Sequence, residues 1–336
     1  MKQKTSKKYS GHKFRLSEES LARILKISTV FICAMVIVSI VYSNNQKKLA
    51  NNEGLKPQSA AAISGNVRVA VIVLSNNQNP TLIDQLYQKT FGAQNSIASY
   101  YARTSYGNLS ISGDVFGPFP HSFSSSAPCG TENAYAVSQL GNQSSNYNTF
   151  ITFTPEISNC TGSKAAGPGV NTLSSITGFN YLAIHELGHE SIFSSLGHAS
   201  RLNNCVTTSN DIILPKTGCT ITEYGDASDP MGSSITGYIP DFQAYNKAKL
   251  GWLSSDYVDN SEIYDLSASE QSSGTRLLHI PGSTYFLELR NDTSLPSSYT
   301  GGVLLRQSGR FAGEGTTEIL TKLTAGQTFN DPAKRI

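Results

Sequence analysis

The sequence predicts an α+β fold, with helices and strands mingled in the first part of the chain and strands alone in the last. Three observations carry that expectation. The run Val67-Arg68-Val69-Ala70-Val71-Ile72-Val73-Leu74 is almost continuously β-branched, the texture of a strand buried on both faces. The stretch Tyr181-Leu182-Ala183-Ile184, inside the segment Phe179–Ser195, supplies an apolar helix. After Trp252 the texture changes to short alternating stretches separated by turn residues, as in Pro281-Gly282 and Gly301-Gly302.

Taken in order, residues 43–65 are small and polar without apolar periodicity and read as a flexible tether. Thr81–Tyr101 has helical spacing (Leu82, Leu86, Tyr87, Ile97, Tyr101) around one central glycine, and Leu109–Val115 and Thr149–Thr154 are further strands. Beyond Trp252, strands are expected at Glu262–Leu266, Thr275–Ile280, Thr284–Arg290, Gly302–Gln307 and Glu318–Leu323. They make an all-β region at 254–336, packed on the preceding lobe or forming a small second domain. No internal repeat is visible. The chain stops at Ile336 just after Asp331-Pro332, where another strand is due, so truncation of this region stays open.

The formal charge of +2 conceals an asymmetry. Residues 1–26 hold eight basic and two acidic side chains, whereas residues 66–336 hold 15 and 21. The mildly acidic body argues against nucleic acid as a partner, which needs a concentrated basic face. The basic segment instead precedes Ile27–Tyr42, an uncharged run of 16 residues that Ile24 and Leu25 extend toward the ~20 needed to span a bilayer. The positive-inside bias then makes residues 1–26 a cytoplasmic tail and 27–42 a transmembrane signal-anchor, with the rest of the chain extracytoplasmic. Cleavage would make the protein secreted instead. No A-x-A-like site follows the apolar run, however, since the next residues are Ser43-Asn44-Asn45-Gln46-Lys47-Lys48.

Of the five cysteines, Cys33 lies in the apolar run and Cys129, Cys160, Cys205 and Cys219 lie beyond it. Outside the cytoplasm four cysteines suggest two disulfides, with three pairings open. Proximity favours Cys205–Cys219, leaving Cys129–Cys160.

Residues 185–189 read His185-Glu186-Leu187-Gly188-His189. On a helix, residues four apart share a face, so two imidazoles can grip one Zn2+ with Glu186 beside them as general base. The pattern H-E-x-x-H is expected about 0.004 times in a shuffled chain of this composition, so it stands well clear of chance. A catalytic zinc usually takes three protein ligands and keeps one position open. The third candidate is His198, just after Gly197, a residue able to turn the chain back toward the metal.

With these residues the chain resembles the metzincin clan of zinc peptidases, and within it the gametolysin-type family. The likeness continues through the cysteine-bounded loop Cys205–Cys219, Tyr224-Gly225-Asp226 with Asp229 and Met231-Gly232, and Lys249-Leu250-Gly251-Trp252. Ahead of the helix it takes in Tyr100-Tyr101 and Ser105-Tyr106-Gly107-Asn108-Leu109, so that it spans roughly residues 67–253. The resemblance implies a twisted mixed sheet carrying an active-site helix in a catalytic domain at 66–253. It also implies one catalytic Zn2+ and a Met-turn at Met231 forming an apolar floor beneath the histidines. The departure from the clan pattern is the spacing: His198 follows His189 by nine residues rather than six, and Ile192 stands where a turn glycine is usual. A longer helix with the turn moved to Gly197, or a bulge, can still deliver His198. If neither does, the site has two histidines or recruits a carboxylate such as Glu223 or Asp226.

The expected function is a zinc metalloendopeptidase that hydrolyses extracytoplasmic proteins or peptides. The alternative is a catalytically impaired binding or adhesion module of the same fold. Tyr238 is a candidate oxyanion donor, with a packed aromatic as its competing role. Asp226 and Asp229 are expected to brace the turn through backbone hydrogen bonds. His121 and His279 lack ligand spacing. Neither G-x-S-x-G nor G-x-x-x-x-G-K-[ST] occurs, which removes support for serine-hydrolase and nucleotide-binding readings.

Overall fold

The computed structural model describes residues 62–331, apart from 129, 158–169, 208–218, 234, 236, 260–261 and 310–314. The basic tail, the anchor at 27–42, most of the tether, and the Cys129–Cys160 pairing lie outside the described residues. Among the described residues no helix is long and apolar enough to cross a membrane.

Strand β1 (Gly65–Leu74) is the centre of a four-stranded sheet. It pairs in parallel with β2 (Leu109–Phe119) and β3 (Thr149–Phe153), and β3 pairs in parallel with β4 (Val170–Leu173). Its β-branched run does what a two-sided strand requires, because successive side chains leave opposite faces. Val67, Val69, Val71 and Val73 enter the main core, while Ala70, Ile72 and Leu74 enter a second one on the other face.

Helices cover both faces. On the main-core side lie α1 (Pro80–Phe91), α2 (Ile97–Thr104) and α4 (Phe179–His189), contributing Leu86, Ile97, Tyr101, Ile184 and Leu187. On the other side α3 (Asn133–Ser138) contributes Ala136. The single helix expected over Thr81–Tyr101 is therefore two. The first ends at Gly92, and the second is nucleated afresh by Ser96, whose hydroxyl accepts the Ser99 amide while the Ser99 hydroxyl accepts the Ser96 amide.

The second sheet has seven strands in the order β6-β5-β11-β10-β9-β8-β7 and mixes parallel with antiparallel pairs. Its members are β5 (Ala199–Asn203), β6 (Thr220–Thr222), β7 (Asp256–Tyr257), β8 (Leu278–His279), β9 (Tyr285–Leu289), β10 (Val303–Ser308) and β11 (Thr317–Leu323). The last three agree with the strands expected there. The strand expected at Glu262–Leu266 reduces to a single bridge between Leu266 and Thr275, and Ile263 is fully exposed, with no strand beside it among the described residues. Thr275–Ile280 likewise shortens to the two residues of β8.

The fold is thus α+β with mixed directions. One sheet also crosses the boundary expected at residue 253: β5 belongs to the lobe of the histidines, yet its partner is β11, about 118 residues later, joined in parallel through Thr317–Ala199 and Ile319–Arg201.

Candidate metal centre

Helix α4 is buried along most of its length, and His185, Glu186 and His189 share its C-terminal half. His185 and Glu186 are buried. The helix stops at His189 because Glu190 turns to an extended conformation. The three additional residues before the third histidine therefore do not lengthen it. A 3-10 turn at Ser191–Phe193, then Ser194 and Ser195 in left-handed conformations at φ 60° and 47°, absorbs them as a bulge. Ile192, where a turn glycine was missed, packs against the main core.

The return path is held from two sides. The Leu196 amide donates to the Gly188 carbonyl at 2.8 Å, tying the loop back onto the helix. Gly197 lies against the backbone of Gly315 and Thr316, where a Cβ would stand 2.6–2.7 Å from their atoms, so only glycine fits. The His198 carbonyl then accepts the Thr317 amide at 3.0 Å, and β5 begins.

Ring nitrogens of His185, His189 and His198 converge to within 4.8 Å of one another, so the three can hold a metal ion. Their outward nitrogens are each engaged. Nδ1 of His185 lies 2.7 Å from the Pro230 carbonyl, that of His189 2.7 Å from the Leu196 carbonyl, and that of His198 2.7 Å from Glu223 Oε1. Carbonyl oxygens only accept, so each of the first two Nδ1 atoms carries the proton and each Nε2 presents a lone pair. Burial pushes the His185 imidazole down to about 4 and also lowers that of His189, so at neutral pH neither Nε2 is protonated. Yet these two Nε2 atoms face each other at 3.2 Å. Two opposed lone pairs at that distance repel unless something positive lies between them.

Met231 is fully buried in the main core, and a Cβ on Gly188 would stand 2.5 Å from its sulfur, so the thioether lies directly against the histidine helix. The turn that carries it is pinned at every step. Asp229 accepts the Met231 amide at 2.7 Å, the Gln243 amide at 2.7 Å and the Asn246 side chain at 3.0 Å. Asp226 accepts the Ser228 amide and hydroxyl and pairs with the buried guanidinium of Arg306 from β10. Arg290, at the end of β9, donates to the Ser228 carbonyl at 2.7 Å. The Met231 carbonyl accepts the Ala199 amide at 2.8 Å, and the Tyr181 hydroxyl donates to the Gly232 carbonyl. The bracing expected of Asp226 and Asp229 is present, and two arginines of the C-terminal sheet share in it.

His198 arrives, so the carboxylate substitutes considered for it are not needed. Glu223 holds His198 from behind, and Asp226 is committed to Ser228 and Arg306. Tyr238 takes its competing role: it packs against the cluster of Leu295, Tyr299, Leu304 and Ile319. The phenol beside the histidines is Tyr224, whose ring centroid lies 4.1 Å from that of His198 and 5.7 Å from that of His185. Burial, then the carboxylates of Glu223 and Glu186, raise its ionisation above the ordinary tyrosine range, so it stays protonated. Cys205 and Cys219 form the disulfide expected of them.

Sequence reasoning did not find Tyr224, or the Pro230 and Leu196 carbonyls. The carbonyls carry no residue signature at all, and Tyr224 was visible only as the first letter of Tyr224-Gly225-Asp226. His121 lies 3.4 Å from Glu156, and His279 is buried among Tyr245, Tyr257 and Phe286. Neither belongs to the cluster. Compared with models of known protein families and with curated proteins, the chain matches none.

Proposed function

We propose that this chain is a zinc-dependent endopeptidase similar to the gametolysin-type metzincins, acting on extracytoplasmic protein from a membrane anchor. The observation that carries the reading is the pair of unprotonated Nε2 atoms opposed at 3.2 Å. Two nitrogens bound tetrahedrally to one Zn2+ stand about 3.3 Å apart at ordinary Zn–N bond lengths. Three imidazoles, each with Nδ1 tied to an acceptor, suit zinc and leave one coordination position open. Bound there, the cation would polarise a peptide carbonyl and acidify a water.

The chain's own residues supply the remainder. Glu186 accepts the proton of the attacking water as the water oxygen bonds to the carbonyl carbon. It returns that proton to the amine nitrogen as the C–N bond breaks. Met231 sets the height of the helix from below, and the Pro230 and Leu196 carbonyls with Glu223 fix which nitrogen each imidazole offers. The anchored, extracytoplasmic placement rests on the uncharged run 27–42 with its basic flank, and the Cys205–Cys219 disulfide suits an oxidising compartment.

The impaired-module alternative leaned on the stretched His189–His198 spacing. With His198 beside its partners that spacing no longer argues for it. The test is metal content by mass spectrometry alongside casein cleavage. The wild type should bind one zinc per chain and cleave, and Glu186→Ala should keep the zinc and lose cleavage. A well-folded chain that binds no zinc would overturn the proposal.

A further inference from the structure

Tyr224 occupies a position that its surroundings impose. Its φ is +59°, in the left-handed region that an aromatic residue seldom adopts. The flanking residues prevent relaxation. Glu223 is bound to His198, and Asp226 to Arg306. Between them Gly225 is so closely packed that a Cβ would stand 2.8 Å from both Arg201 Cβ and the Thr222 carbonyl oxygen. A backbone strained in this way persists only where the fold over-determines it, and its result here is to aim one ring at the histidines. That ring is tilted 39° against His198 and 36° against His185, and is 39% exposed, so it stands between the cluster and solvent.

The hydroxyl is the informative atom. Tyr181 uses its own on the Gly232 carbonyl and Tyr238 is packed elsewhere, but the Tyr224 hydroxyl has no hydrogen-bond partner among the described residues. Its ring lies 4.1 Å from that of His198 and 5.7 Å from that of His185, so the phenol belongs to the same cluster. A pre-aimed phenol beside the three histidines, its hydroxyl unspent, has the properties required where negative charge develops.

We propose that Tyr224 donates its phenolic hydrogen to the carbonyl oxygen of the bound peptide as that oxygen gains charge. This role rests on the zinc-peptidase reading. Its test is Tyr224→Phe in the full chain, which keeps the ring over His198 and removes only the hydroxyl. Three quantities are compared with wild type: zinc affinity by chelator competition, kcat and KM on a casein-derived peptide, and affinity for a phosphinic peptide of that sequence, whose tetrahedral group mimics the charged oxygen.

The expected result is unchanged zinc affinity and KM, kcat lower by about 10²–10³-fold, and phosphinic-peptide affinity lower by a similar factor. Equal phosphinic-peptide affinity in both proteins, with zinc bound by both, would overturn the role of Tyr224 alone. So would a loss of zinc affinity large enough to account for the fall in activity, since that would make the residue a packing element. A wild type that binds neither zinc nor the phosphinic peptide would overturn the peptidase reading and this role together.

Discussion

Replacing Gly188 by alanine should destabilise this protein, although alanine is the better helix former. In α4 the exchange by itself should stabilise by about 1 kcal/mol. The new Cβ, however, would stand 2.5 Å from Met231 Sδ and 3.2 Å from its Cε, with Leu196 Cδ1 at 3.8 Å closing the other side. Met231 is fully buried and its turn is held by Asp229 and the Ala199 amide, so the sulfur cannot withdraw freely. Overpacking of that severity belongs at the upper end of ~1–3 kcal/mol. The net loss is then ~2 kcal/mol, or about 4–8 °C in Tm at ~2–4 °C per kcal/mol for a large domain. Met231→Ala alone should cost about 2–5 kcal/mol by opening a cavity. In that background the obstacle is gone, so Gly188→Ala should change sign and stabilise by ~1 kcal/mol. The assay is thermal unfolding of the four proteins followed by circular dichroism, with chelator present so that metal affinity does not enter. A Gly188→Ala effect of the same sign in both backgrounds would refute the argument that the thioether is pressed against this glycine.

Two further outcomes follow from the geometry. Glu223→Ala removes the acceptor 2.7 Å from His198 Nδ1 and should weaken zinc binding about 10–100-fold in chelator competition. His279 reports on pH independently of the metal. Burial pushes its imidazole down to about 4, against about 6.5 in the unfolded chain. Between those values the unfolded chain takes up a proton that the folded one refuses. The stability tied to neutral His279 is therefore fully present above pH 6.5 and is lost as pH falls toward 4. The stability difference between wild type and His279→Phe, from denaturant titrations, should move by about 3 kcal/mol against the wild type over that window.

Local chemistry made part of this legible. The β-branched run at 67–74 needs two covered faces wherever it goes, and the structure gives it two cores. The strands at Tyr285–Leu289, Val303–Ser308 and Thr317–Leu323 follow from alternation and flanking turns. Prediction faltered where a local signal was outweighed or weak. Helical spacing ran through Gly92, but the reciprocal Ser96–Ser99 capping started a new helix, and Glu262–Leu266 had strand texture but pairs through a single bridge, Leu266 to Thr275. In the site, the two helical histidines and Glu186 were readable because four residues of α-helix fix their shared face.

His198 was not readable to the same degree, because its position is set by contacts that no local pattern encodes. A bulge with two left-handed serines, Gly197 fitted to the backbone of Gly315, and Thr317 bonded to its carbonyl bring it to the cluster. The sequence by itself therefore determined the residue types able to bind a cation and the face that two of them share, since helical periodicity is a property of neighbours in the chain. Tertiary structure alone decided that the third would join them and that Tyr224 would cover them. Arg290 just past β9 and Arg306 on β10, 62 and 80 positions from their partners, hold the turn, and Thr317 on β11 holds the loop from farther still, so these hydrogen bonds exist only once the second sheet has formed.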